Sequence, residues 1–338
     1  MKKKLIAVVA LVLIVALTCS LAACNNSKSM FDGNFKKEAT QEEASSQWKT
    51  AQTAFGEDSA ELATASEPEE TIKGWKGMTV CLFSDLNFSG VSDGKKVEET
   101  QIMQAEGSLL FDGSAMAMTI KMGSSSTEGD KTESRTSTVG TYVKDTTMYA
   151  TLGLSETKEN NKDDKSLNLK FGEEIGLIGG VIQSAIGGVA EQYSEMVVDA
   201  LGDVICDMTY DELLKEYDGF KAYVDNSGKY NRVKYVLTAE MIADLNNEDE
   251  DFVKNAVLGE CSIIIVTDKE TNSLQGVKFE INTTVKTKEG EDEITVSTKS
   301  TVSMENCNEV TSFPSDLDTY KDVKDLTEDD LKDFNLFG

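Results

Sequence analysis

The chain has no histidine, only two prolines, and aromatic residues at 7%. Without histidine, a Ser-His or Cys-His nucleophile pair cannot be assembled, and the commonest zinc ligand is missing. There is no Cys-x-x-Cys, no Gly-x-Ser-x-Gly elbow, no phosphate-binding glycine loop and no dinucleotide fingerprint. Sparse aromatics argue against a sugar-stacking cleft. Basic residues are also few, 33 against 60 acidic, for a net charge of −27. Such a surface repels nucleic acid and anionic head groups, so no nucleic-acid partner is expected. No cofactor, no metal site and no enzymatic activity are expected either.

What is present begins with the leader. Lys2, Lys3 and Lys4 precede an uncharged, mostly apolar run from Leu5 to about Leu21, which ends in Leu21-Ala22-Ala23-Cys24. A basic start, an apolar middle and small residues before a cut make a secretory signal peptide over 1–23. The cysteine at the cut adds a second feature. The stretch resembles the lipobox of bacterial lipoproteins, which implies acylation of Cys24 and a lipid-anchored, outward-facing protein at the cell membrane. The membrane is then a partner through acyl chains rather than through a basic patch. A transmembrane anchor is the alternative, but the run is at the short end for a span.

Residues 24–74 read as a tether plus a helical segment. Within it Ala44, Trp48, Ala51 and Phe55 recur at helical spacing and predict a helix over Gln41–Phe55. Residues 75–315 switch to period two. Met116, Met118, Ile120 and Met122 fall on one face, and Val277, Phe279, Ile281, Thr283 and Val285 do the same. Strands are expected near 97–111, 114–123, 132–143, 147–154, 220–225, 229–238, 259–267, 274–288 and 292–306, separated by turns such as Asn226-Ser227-Gly228. Between them, Ile175, Ile178, Ile182, Ile186, Val189 and Tyr193 open an apolar stripe that runs to Val204, within a region, 173–216, that reads as helical. Thr209 to Glu212 reads as a capping box. Shorter helices are expected over Ala239–Leu245, Glu250–Val257 and Glu328–Phe334, the last in an acidic tail of 316–338.

The predicted fold class is α+β: a strongly curved antiparallel sheet, a half-barrel, with helices packed over its apolar face. The element order, with Val266-Thr-Asp-Lys-Glu-Thr271 leading into a long strand, resembles the LolA/LppX-like family of lipoproteins and lipoprotein carriers. That resemblance spans roughly 75–315. It implies a hydrophobic cavity between sheet and helices, but no family ligand residue carries over.

Two features point to a ligand. Methionine adapts to irregular apolar partners, so Met116, Met118 and Met122 are candidate lining residues, facing Ile178, Ile182 and Ile186 on the helix. Five glycines from Gly176 to Gly188 would cost that helix roughly 5 kcal/mol, which marks either close packing on the sheet or a mobile flap. The expected function is a lipoprotein holding a lipid or other apolar molecule there. The alternative is a surface interaction or structural lipoprotein with a packed core. Cys81, Cys206, Cys261 and Cys307 allow disulfides or buried thiols. The up-down-up order of the last three strands puts Cys261 and Cys307 at opposite ends, too far apart to bond.

Overall fold

The computed structural model describes residues 29–55, 72, 74–92, 95–129, 131–158, 161–172, 205–245, 256–289 and 292–327. Cys24, Ile178, Ile182, Ile186, Gly176 to Gly188 and the helices expected over 173–204 and 328–334 lie outside the described residues.

The elements are β1 (Lys37–Glu38), α1 (Gln41–Phe55), β2 (Gly77–Ser92), β3 (Lys95–Leu110), β4 (Met116–Glu128), β5 (Lys131–Lys144), β6 (Thr147–Lys158) and β7 (Asn161–Phe171). Then come α2 (Tyr210–Glu216), β8 (Lys221–Asp225), β9 (Tyr230–Val236), α3 (Ala239–Leu245), β10 (Ala256–Leu258), β11 (Ser262–Asp268), β12 (Leu274–Glu289), β13 (Asp292–Asn306) and β14 (Lys321–Asp322). They form one 14-stranded sheet in the order β1-β8-β9-β11-β12-β13-β2-β3-β4-β5-β6-β7-β14, with β10 beside β12. Among the described residues all pairings are antiparallel except β7 with β14.

The expected half-barrel with helices packed over its apolar face is not what forms. Among the described residues strand outweighs helix by 59% to 16%, the sheet is not closed, and helices covering it are not evident. For the described helices the physical reason is size. At 15 residues, α1 is about 22 Å long, whereas thirteen strands abreast measure roughly 58 Å. The described helices therefore sit at one end. There α1 buries Ala44, Gln47, Trp48, Ala51 and Phe55. Trp48 meets Tyr235 of β9 edge-on at 4.9 Å, donates to Met208 O at 2.9 Å, and is 1% exposed. A Thr40–Glu43 capping box starts α1, and the predicted Thr209–Glu212 box starts α2. The helix expected over Glu250–Val257 is overturned at its end, where Ala256–Leu258 pairs with β12 as a strand.

One apolar rung crosses almost the whole sheet. Val224, Val233, Ile265, Val277 and Met304 are successive partners, and Met304 pairs with Val80 of β2. Beyond β3, Met118, Thr141, Ala150 and Leu169 continue it through β7. All nine of the apolar side chains are at most 5% exposed. On the opposite face the segment after β13 lies across β4–β6. It buries Leu317 and Tyr320 against Ala117, Tyr142 and Tyr149, with the Tyr320 and Thr151 hydroxyls 2.8 Å apart. Tyr142 in turn lies over Gly140, where an added Cβ would collide with its ring. The residues read as an acidic tail thus contribute core.

The meander β11–β12–β13 forms as expected. Cys261 contacts Asn282, and Cys307 lies by Leu109 O. Cys206, Cys261 and Cys307 are free thiols.

Candidate functional site

Strands β3–β6 are longer than the apolar core they serve. Their core-facing side chains change character along the strand, and the candidate site lies at that change. At the core end, Met118 and Ile120 are each 3% exposed, and Met116 packs against the same cluster. Two residues past Ile120, Met122 is 45% exposed. One rung further, Gln101, Ser124, Arg135, Glu156 and Asp163 are successive partners across β3–β7. This rung is hydrophilic throughout.

The three methionines therefore part company. Met118 is core, Met116 is its flank, and Met122 lines a pocket. That pocket measures ≈ 250 Å³, with Ser84, Leu86, Met103, Arg135 and Ser137 among its other walls. A second hollow, ≈ 370 Å³, adjoins it and shares Gln101, Ser124 and Arg135. Its other walls include Glu99, Ser126, Glu133, Glu156 and Lys158. Arg135 Nε lies 3.3 Å from Glu156 Oε1, and Lys158 Nζ lies 3.9 Å from Glu156 Oε2. These are exposed pairs, each worth under about 1 kcal/mol.

The chemistry available is contact and hydrogen bonding. No described cluster of three or more Cys, Asp or Glu is placed to hold a metal. Burial pushes the Cys261 and Cys307 thiols up from their ordinary range, which works against the reactive thiolate form. Glu305 is likewise raised by burial, but it stands on the far side of the sheet from both hollows, opposite Thr79 and Gly276. Sequence reading missed Leu86, Met103 and Arg135 as pocket walls. Leu86 and Met103 belong to strands whose partners were unknown, and Arg135 reads as an ordinary polar-face residue. No described helix is long and apolar enough to cross a membrane.

Comparison with known proteins adds little. No family model and no curated protein matches the chain. Among solved structures, the translocator domain of autotransporter NalP from Neisseria meningitidis aligns over 77% of this chain and 98% of its own, at 8% identity and a TM-score of 0.14. At that score nothing about this chain follows from the likeness.

Proposed function

We propose that the chain is a lipid-anchored, outward-facing protein of the cell membrane that acts by contact rather than by catalysis. The leader ending in Leu21-Ala22-Ala23-Cys24 supports the anchor. The observation that carries the interaction reading over a lipid carrier is the packing of Met118, 3% exposed in the middle of the face expected to line a cavity. A ligand site there would need roughly 300–1,000 Å³ of space. The partner surface in this reading is the hydrophilic outer half of β3–β7.

The test is fractionation of the full chain and its Cys24→Ala variant, with mass analysis of the N-terminal peptide. The parent should partition with membrane and carry acyl mass on Cys24, and the variant should be released or left unprocessed. Membrane association of a mature form without acyl mass would sink the anchor.

A second reading is favoured by one observation, the ≈ 250 Å³ pocket at Leu86, Met103 and Met122. It is a small apolar ligand held at the edge of the core rather than inside it. Native mass spectrometry that finds a co-purifying lipid, lost in Met122→Asp, would put this reading first.

A further inference from the structure

Apart from the two-residue β14, β7 is the last strand of the sheet among the described residues, and its outer side is guarded. Among the described residues that side pairs only at Leu169 and Lys170, with β14. Before these lies the run Lys162-Asp163-Asp164-Lys165. Lys162 Nζ is 2.7 Å from Asp164 Oδ2 on one face, and Lys165 Nζ is 3.2 Å from Asp163 Oδ2 on the other. The four side chains are 34–67% exposed. A bare strand edge is a template for another strand, and charged residues are one way to blunt it. The partner always at hand is a second copy.

Symmetry limits how two copies can pair. To extend one sheet into the other, two antiparallel copies of β7 must be related by a two-fold axis normal to the sheet. Side chains directly opposite one another then share a face, so every register places one residue opposite itself. Like charges directly opposite are destabilising. A register centred anywhere from 162 to 165 therefore opposes lysine to lysine or aspartate to aspartate. A centre further along runs into β14, which already occupies Leu169 and Lys170. We infer that Lys162–Lys165 closes this edge to a second copy of the chain.

The registers are not equal, and this makes the inference testable. Centred on Asp164, the flanking pairs are Asp163 with Lys165, twice, both attractive. Centred on Asp163, they are Lys162 with Asp164, twice. Only the central pair repels in either case. Centred on Lys162 or Lys165, the nearest flanks are Asn161 with Asp163 or Asp164 with Ser166, and neither is an ion pair. Asp164→Asn or Asp163→Asn alone should therefore release dimerisation, while Lys162→Gln and Lys165→Gln should leave the chain monomeric.

The full-length chain and these variants are compared by light scattering and by crosslinking. In the crosslinking arm, Asp164→Cys puts a thiol on the axis, where opposed Cα atoms lie about 4.5–5.5 Å apart, within disulfide reach. Expected are a several-fold rise in dimer fraction for both Asp→Asn variants and a self-crosslink at 164 absent from the parent. The reversal Lys162→Asp/Asp163→Lys/Asp164→Lys/Lys165→Asp should stay monomeric, because it keeps a like pair on every axis. Folded, soluble Asp→Asn variants that remain as monomeric as the parent would overturn the inference. So would a parent that already dimerises through β7, or a reversal variant that dimerises. If one Asp→Asn variant does not fold, the other decides.

Discussion

Strands β4–β6 are each divided between two environments, and the division is sharp. On the core-facing side of β4, Met118 and Ile120 are almost wholly buried, and Met122 is nearly half exposed. Beyond it come Ser124, Ser126 and Glu128, still in register with β5. The hydrogen-bonded ladder is continuous across the boundary, so the boundary is not where the sheet ends. It is where burial ends. Backbone pairing can carry a strand into water, provided the side chains there are soluble and pair across the sheet as Arg135 and Glu156 do. The buried half supplies stability and the hydrated half supplies surface.

The largest effects belong to the buried end, where α1 packs on β9. Trp48→Ala removes a side chain packed on Tyr235 and hydrogen-bonded to Met208 O. It should cost about 3–5 kcal/mol in denaturant unfolding. A cost under about 1 kcal/mol would mean that α1 is an accessory rather than part of the core. Met118→Trp comes next. In a packed rung it overpacks and should cost about 1–3 kcal/mol, with no apolar-probe binding in the parent. Retained stability, together with probe binding that the parent shows and the variant loses, would make the methionine face a ligand surface instead of core.

Acid sensitivity should also divide between the two regions. Burial alone would raise the Asp225 carboxyl, but bonds from Ser227 N, Ser227 Oγ and Asn34 N, with Arg232 nearby, leave it below the ordinary carboxylate range. A group whose folded pKa is depressed contributes stability that is present above its unfolded pKa, about 3.9. That contribution is lost as pH falls through the lower folded value. Asp225→Ala should therefore cost about 1–3 kcal/mol at neutral pH, and less as pH drops below about 4. A cost independent of pH from neutral to strongly acid would show that the charge contributes nothing.

Much of the local structure was legible before the fold was known. The helix from Gln41 to Phe55, the box at Thr209 and the helix from Ala239 to Leu245 all form within their expected bounds. Local chemistry decides these, through caps and helical spacing. Most strands were also anticipated, to within a few residues. Two long ones were not. β7 opens with Asn161-Lys-Asp-Asp-Lys-Ser166 and shows its alternation only at Leu167, Leu169 and Phe171. β2 alternates from Met78 to Phe88, but Ser84 interrupts the apolar face, because there it meets Ser300 rather than an apolar neighbour. β1, β10 and β14 are two or three residues long and exist only through their partners. The order of strands was not legible at all. Nothing in the sequence says that β2 joins the meander of β11–β13 to that of β3–β7. The methionine stripe misled for a related reason. Alternation reveals which residues share a face, but not how far along the strand that face is covered.

The smallest expected effect is at that boundary. Met122 is on the same face as Met118, has the same side chain, and stands two rungs away. Met118 loses its whole surface to packing, whereas Met122 keeps 45% of its own. A surface substitution away from caps, strained backbone and buried networks usually changes stability by less than about 0.5 kcal/mol. Met122→Ser should fall in that band, with strand register preserved by the Met103 and Ser137 pairings on either side. Equilibrium unfolding of the two variants side by side, Met118→Ser and Met122→Ser, is the measurement. Met118→Ser should cost several kcal/mol, because it leaves a cavity and buries a hydroxyl. Equal costs would move the edge of the core outward past Met122 and close the pocket at Leu86 into packed interior. A Met122→Ser variant more stable than the parent would instead show that this methionine is kept for what binds it.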